Sequence, residues 1–220
     1  MARSVSPLVL SALLAASCAP AVLLSRDESA RLSTAPPIPV LHVRSAPPWV
    51  DCPNDEGQKV WEHPGIWNSI QEQWTLSLQT PPVDPAGATA AQLLSLAGAG
   101  HLSLPLAGPP EEVLRLDPAA LRIRFGASPV LVVEAVRWVL VGCFFTYQPW
   151  FDVRATLVRP STGEVLWRDT CGGTYPDGWP VRSSRDELEA GGQRLYARII
   201  EERAAACATQ LVTSLAGAGR

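Results

Sequence analysis

The hydrophobic pattern of the second half of the chain predicts a small antiparallel sheet. Residues 130–145 form a β-branched run that is apolar on both parities except at two charged positions, which indicates a strand buried on both faces. Residues 151–157 alternate between apolar and polar side chains, as in a half-buried strand. A turn at 159–164 leads into a third run at 165–171. Together these segments predict a three-stranded antiparallel meander.

Helical signals lie on both sides of this meander. Residues 117–126 begin with an Asp-Pro cap and end at a glycine, which favours a helix over the strand that the alternation within 121–125 also allows. Residues 184–187 form a Ser-x-x-Glu capping box that opens a helical pattern reaching about Leu215. We expect the glycine pair at 191–192 to bend or interrupt this long helix.

The first half of the chain is less regular. Residues 38–44 read as a short strand, 67–78 as an amphipathic helix with apolar residues at spacings of 3, 4 and 4, and 86–99 as a helix of small residues. Glycines and prolines at 98–110 predict a break in regular structure, and 45–66 are expected to be loop-like.

These elements predict an α/β (α+β) fold: a mixed sheet with an antiparallel meander, packed by helices and closed by a long C-terminal helix. The expected organisation is a signal peptide at 1–17 and a tether at 18–37. A loop-rich, tryptophan-rich part follows at 38–116, and an α/β core at 117–217.

The N-terminus has the pattern of a secretory signal. One arginine and an apolar run at 5–16 precede small residues and Cys18. This ending resembles the lipobox of bacterial lipoproteins, although Ala15 stands where that family usually has leucine. The resemblance implies lipidation of Cys18 by fatty acids such as palmitate, and Ala19 favours the outer membrane. An uncleaved membrane anchor is not expected, because the apolar run is too short to span a bilayer. A plain cleaved signal with a free Cys18 is the second alternative.

Composition narrows the classes of partner. The chain has 220 residues, 47% of them hydrophobic, and a net charge of −3, which suits one globular domain. Its 18 basic residues are almost all arginines, and no basic cluster with interleaved aromatic residues occurs. Nucleic acid is therefore not an expected partner.

Four cysteines remain beyond Cys18, and an even number in an exported protein suggests disulfides. The C-terminal helix must lay its apolar face on the sheet, which would bring Cys207 near Cys171 at the end of the last strand. We therefore predict Cys171–Cys207 and, less directly, Cys52–Cys143, with small buried thiols as the alternative for the second pair.

The sequence offers no recognisable catalytic or metal-binding motif. It lacks a G-x-S-x-G elbow, a CxxC pair and a phosphate-cradling glycine loop. His42, His63 and His101 have no metal-ligand spacing with the cysteines, and we interpret each as a structural or surface residue. No metal, no cofactor and no catalytic residue are expected.

The second half of the chain is similar to a known lipoprotein group. The segment Gly126-Ala-Ser-Pro-Val-Leu-Val-Val-Glu134 and the turn within Leu157-Val-Arg-Pro-Ser-Thr-Gly-Glu-Val-Leu-Trp-Arg168 carry the likeness. They resemble envelope lipoproteins with a TolB N-terminal-like domain, such as the curli-secretion lipoprotein and the penicillin-binding-protein activators. The resemblance implies a scaffold and a cellular address, and no activity.

A cluster of tryptophans is the strongest candidate for a binding surface. Trp49, Trp61, Trp67 and Trp74 are residues of the type found in interface hot spots, but core packing would explain them equally well. We therefore expect a non-catalytic, lipid-anchored envelope protein that binds an envelope partner or copies of itself. A cell-wall hydrolase and a carrier of an apolar or sugar ligand are the alternatives.

Overall fold

The computed structural model describes residues 21–51, 83–102, 104–141, 146–172 and 183–217. The helices are α1 (Arg26–Ser33), α2 (Pro85–Gly98), α3 (Pro118–Phe125) and α4 (Arg185–Gly217). The strands are β1 (Ile38–Val43), β2 (Trp49–Asp51), β3 (Leu106–Val113), β4 (Val130–Val141), β5 (Thr146–Arg159), β6 (Glu164–Cys171) and β7 (Ser183–Ser184).

The strands form one mixed sheet in the order β3-β1-β4-β5-β6. Strands β3, β1 and β4 are parallel, and β4, β5 and β6 form the antiparallel meander. The short β2 continues along the second half of β4, and β7 pairs with the start of β5. The predicted mixed sheet, the meander and the long C-terminal helix are confirmed.

The helices lie on both faces of this sheet for a topological reason. The chain steps from β1 outwards to β3 through α2, and then back past β1 to β4 through α3. Right-handed crossovers in opposite directions place their helices on opposite faces. Accordingly, α2 packs with α4 into the large core, whereas α3 packs against a second cluster on the other face, formed by Leu41, Val130 and Val132.

The caps that the sequence predicts are formed. The Asp117 side chain accepts a hydrogen bond from the Ala119 amide at 2.9 Å, and Gly126 ends α3 with a φ of 57°. Ser184 and Glu187 bond each other's backbone amides at the start of α4. The glycine pair disturbs α4 as expected, since φ is 61° at Gly191.

The predicted tether is wrong for residues 22–33. The backbone of Val22 pairs with Arg168 on β6, Leu24 is buried in the large core, and α1 follows with its Leu32 buried in the same core. The physical reason is an N-cap at Ser25, whose hydroxyl accepts a hydrogen bond from the Glu28 amide at 3.2 Å. Regular structure therefore begins only a few residues after Cys18.

Two further strands occur where a loop or a break was expected. Strand β2 lies within 45–66, and β3 passes through Gly108, Pro109 and Pro110. Proline is tolerated in β3 because this strand is at the edge of the sheet, where a missing amide costs little. Pro39 lies on the neighbouring β1, and the β1–β3 register shifts just after it.

The other elements follow the predicted pattern. Helix α2 matches the predicted small-residue helix, and β4 is buried on both faces over much of its length. The predicted helix at 67–78 lies outside the described residues. Within the described part of the chain, no helix is both long and apolar enough to cross a membrane.

Candidate functional site

Three potential ligand residues meet at the carboxyl end of β1. His42 on β1 pairs in register with Glu112 on β3, and Asp84 precedes α2, the helix that connects these two strands. The connection after β1 leads to α2 on one face of the sheet, and the connection after β3 leads to α3 on the other face. The carboxyl ends of these two neighbouring strands therefore form a topological switch point. Open α/β sheets bind ligands at such points. We call these three residues the His42 cluster.

Asp84 is oriented by its role as the cap of α2. One of its oxygens, Oδ1, accepts a hydrogen bond from the Ala86 amide at 3.1 Å and another from the Ser45 hydroxyl. The other oxygen, Oδ2, accepts a longer bond from the Ser45 amide at 3.4 Å. Pro85 at the first helical position completes this start signal. The carboxylate is therefore held in one orientation.

His42 is enclosed between the strand and the helix, with only 8% of its surface exposed. Its Nε2 atom lies 3.9 Å from Asp84 Oδ2 and 3.8 Å from Glu112 Oε2, beyond hydrogen-bond distance from both. Its Nδ1 atom is buried without a hydrogen-bond partner among the described residues. Gly87 makes room for the ring, because a Cβ atom there would lie 3.1 Å from Nε2.

Glu112 is the most accessible member of the His42 cluster. Its side chain is 43% exposed, and its Oε1 atom forms an ion pair with Arg44 Nε at 3.3 Å. Its Oε2 atom faces His42. The two carboxylates thus outnumber the single arginine paired with them.

The geometry does not match a serine hydrolase. Such a site needs histidine between the serine and the acid, so that the imidazole can take the hydroxyl proton. Here Asp84 lies between Ser45 and His42, and the Ser45 hydroxyl donates to Asp84. The arrangement is instead one of three ligand atoms, one nitrogen and two oxygens, all within 4.8 Å of one another.

The sequence missed this grouping. His42, Asp84 and Glu112 are separated by 42 and 28 residues and share no motif. The only local signals were the Asp-Pro cap of α2 and a histidine in a strand. The pairing of β1 with β3, a strand that the sequence did not predict, brings the cluster together.

A second charged cluster lies on the sheet itself. Arg154 Nε on β5 donates a hydrogen bond to Glu134 Oε1 on β4 at 2.9 Å, and a second guanidinium nitrogen of Arg154 forms an ion pair with the same oxygen at 2.9 Å. Arg168 on β6 is also buried, and that burial together with the nearby Arg154 lowers its pKa. These side chains explain how charged residues are accommodated within largely apolar strands.

Some of the predicted site residues lie in the described part of the chain, and the others lie outside it. Cys171 and Cys207 lie at disulfide distance, with Cα atoms 5.2 Å apart, as predicted. Trp49 lies on β2, and its side chain is not described; His101 is exposed just after α2. The remaining predicted residues, Cys18, Cys52, Cys143, Trp61, Trp67, Trp74 and His63, lie outside the described residues.

Comparison with known proteins gives only distant similarities. No protein-family model matches the sequence, and no curated protein matches it. Among solved structures, the PelC dodecamer from Paraburkholderia phytofirmans is 14% identical with a TM-score of 0.34, covering 90% of this chain and 94% of that chain. A point variant of PelC is 12% identical with the same TM-score, covering 90% and 95%. Lipoprotein GNA1162 from Neisseria meningitidis is 17% identical with a TM-score of 0.26, covering 77% and 99%. Similarities of this size establish neither a family nor a function, and the TolB-like domain stays a prediction.

Proposed function

We propose that this protein is a non-catalytic envelope lipoprotein that holds a compact α/β domain against a membrane and presents it to a protein partner. The observation that carries the proposal is the pairing of Val22 with Arg168, through backbone hydrogen bonds of 2.8 and 2.9 Å. Val22 lies four residues after Cys18. Four residues span at most about 14 Å, so a lipid on Cys18 would keep β6 next to the membrane surface.

The cysteine pair supports an exported location. Cys171 and Cys207 at disulfide distance suit an oxidising compartment such as the bacterial periplasm.

A short connection to the membrane also restricts how the domain is oriented. Such restriction raises the effective concentration of one face towards a partner in the same envelope.

The edges of the sheet are poor sites for contact through added strands. At the β3 edge, Pro109 and Pro110 lack amide donors. At the β6 edge, the backbone hydrogen-bonding groups of Arg168 are already paired with Val22. Contact with a partner therefore depends on side chains. Leu114, just after β3, and Ile123, on α3, are 74% and 87% exposed and are the apolar contacts we assign to an envelope partner protein.

The first test addresses the anchor. Cys18→Ala should lose fatty-acid label and move from the membrane to the soluble fraction. The Cys171→Ala/Cys207→Ala variant is the matched cysteine control and should keep its label. Membrane association and labelling of Cys18→Ala equal to those of the parent would refute the anchor.

The second test addresses the partner. A photo-crosslinking residue at Ile123 should join the protein to a defined envelope protein in intact cells, whereas the same residue at Glu201, exposed on α4, should not. A product of twice the chain mass would identify a second copy as the partner. Equal, diffuse crosslinking from both positions would contradict a specific contact at α3.

The hydrolase alternative gains one observation, because His42 lies between two carboxylates. We place it second, since Asp84 is engaged by α2 and by Ser45, and no nucleophile contacts His42 within the described residues. Release of soluble fragments from purified cell wall by the parent protein, lost in His42→Ala, would favour this alternative.

A further inference from the structure

The geometry points to a binding site for a divalent transition-metal cation, with Zn²⁺ as its best fit, formed by His42 Nε2, Asp84 Oδ2 and Glu112 Oε2. The site goes beyond the proposed function, because neither a lipid anchor nor a protein partner requires it. It joins the ends of β1 and β3 to the start of α2.

The imidazole of His42 is the observation that separates this site from an ordinary group of acidic residues. Its side chain is nine-tenths buried, its Nδ1 has no partner among the described residues, and its Nε2 faces both carboxylates. A buried polar group without hydrogen bonds is costly. Nε2 lies beyond hydrogen-bond distance from both carboxylates, so a cation between the three atoms would give Nε2 a partner, while Nδ1 would carry the proton of the ring.

The distances fit a metal that draws the ligands slightly together. Bonds of about 2.0–2.2 Å in tetrahedral geometry place ligand atoms about 3.3–3.5 Å apart. Nε2 lies 3.9 Å from Asp84 Oδ2 and 3.8 Å from Glu112 Oε2. Nε2 must therefore approach each oxygen by about half an ångström, and the two carboxylate oxygens, which lie within 4.8 Å of each other, must approach by up to about 1.3 Å. Rotation of the accessible Glu112 side chain can supply this movement.

Each carboxylate offers one oxygen and is held by the other. Asp84 Oδ1 caps α2 and accepts a hydrogen bond from the Ser45 hydroxyl, whereas Oδ2 faces His42 and accepts the longer hydrogen bond, of 3.4 Å, from the Ser45 amide. Glu112 Oε1 pairs with Arg44, whereas Oε2 faces His42. Contacts of this kind orient metal ligands and tune affinity. The surrounding protein therefore already holds two of the three ligands in place.

The donor set selects the class of metal. One imidazole nitrogen and two carboxylate oxygens suit Zn²⁺ and similar transition ions, whereas Ca²⁺ and Mg²⁺ prefer oxygen alone. The two negative charges match a divalent cation. Three protein ligands leave a fourth position for water or a donor from another molecule.

The test is a Zn²⁺ titration of the full lipidated chain in detergent after removal of metals with a chelator. We expect one Zn²⁺ per chain by isothermal titration calorimetry. His42→Gln should weaken binding by tenfold or more, whereas His101→Gln, at an exposed histidine, should leave it unchanged. Mg²⁺ should not compete.

A second pair of variants covers the case in which His42→Gln fails to fold. Glu112→Gln removes a ligand at an accessible position, and Glu111→Gln, which instead loses an ion pair with Arg124, is its neighbouring control. We expect Zn²⁺ binding to weaken in Glu112→Gln alone, with unchanged circular dichroism in both variants.

Co²⁺ substitution distinguishes this site from cysteine binding. A site made of nitrogen and oxygen gives no thiolate-to-cobalt charge-transfer band, whereas a thiolate site gives an intense one. The inference is overturned by an absence of Zn²⁺ binding, by equal affinity in Glu112→Gln and Glu111→Gln, or by a thiolate band from the stoichiometric site.

Discussion

Cys171 and Cys207 join the last residue of β6 to the C-terminal helix, with their Cα atoms 5.2 Å apart and a sequence separation of 36. Both residues are buried in the large core, where α4 packs on the sheet. The link therefore fixes the position of a long helix whose backbone is disturbed near its start, at Gly191.

Removing this link should destabilise the fold without changing it. Cys171→Ala/Cys207→Ala should lower the free energy of unfolding by about 2–4 kcal/mol, because the unfolded chain is no longer constrained by a closed loop. Urea unfolding of the variant and of the oxidised parent measures the difference. Reduced parent protein is the control and should resemble the variant. Equal midpoints for all three samples would refute the contribution of the disulfide.

The ion pair between Glu134 and Arg154 gives a second prediction. Glu134→Leu should lower the free energy of unfolding by about 3–5 kcal/mol, because it removes a carboxylate beside buried Arg154 and Arg168. Adding Arg154→Leu should recover part of this loss, since one buried cation then disappears as well. Thermal or urea unfolding of the three proteins tests the order, and a double variant less stable than Glu134→Leu would contradict it.

Local signals predicted the elements that have strong boundaries. Asp117 and Gly126 define α3, and the capping box at Ser184 defines the start of α4. The turn at 159–164 and the alternation before it were enough to predict the meander. In these cases the interactions that start or stop an element lie within a few residues of it, so the sequence contains them directly.

The missed features depend on distant partners. The prolines of β3 are acceptable only because that strand forms the edge of the sheet, which is a property of the whole topology. Helix α1 is the exception: it has few apolar residues, but the Ser-x-x-Glu pattern at Ser25 and Glu28 is a local signal that could have revealed it. The His42 cluster requires the β1–β3 pairing, so no local pattern could predict it.

The capping box of α4 should make stability depend on pH. Hydrogen bonds from the amide and hydroxyl of Ser184 hold the pKa of Glu187 below its usual value of 4.5. A lowered folded-state pKa contributes stability above the unfolded pKa, and that stability is lost as the pH falls through the folded pKa. Glu187→Gln should therefore be less stable than the parent at neutral pH, with the gap closing in acid. Glu201→Gln, exposed in the same helix, should show no such closure, and a gap independent of pH would contradict the role of the carboxylate.

Two glycines of α2 should respond differently to alanine. Alanine favours a helix over glycine by about 0.5–1 kcal/mol. At Gly98 a Cβ atom meets nothing within 4 Å, so Gly98→Ala should be neutral or stabilising. At Gly87 the Cβ would lie 3.1 Å from His42 Nε2, so Gly87→Ala should gain less stability and should weaken Zn²⁺ binding. Equal stability and equal Zn²⁺ affinity in both variants would show that the ring of His42 is free to move away.

Tyr196 separates the contribution of a buried ring from that of its hydroxyl. The ring is fully buried in the large core, and burial raises the pKa of Tyr196, so the hydroxyl stays protonated. The neighbouring Trp138 side chain opposes this rise in pKa, but the Tyr196 oxygen forms no hydrogen bond of normal geometry among the described residues. Because a buried hydroxyl without a partner is unfavourable, Tyr196→Phe should leave stability unchanged or raise it by about 1 kcal/mol.

Tyr196→Ala should instead cost about 3–5 kcal/mol, since it leaves a cavity where α4 meets the sheet. Urea unfolding distinguishes the two, and a loss of more than about 1 kcal/mol in Tyr196→Phe would mean that the hydroxyl does form a stabilising hydrogen bond.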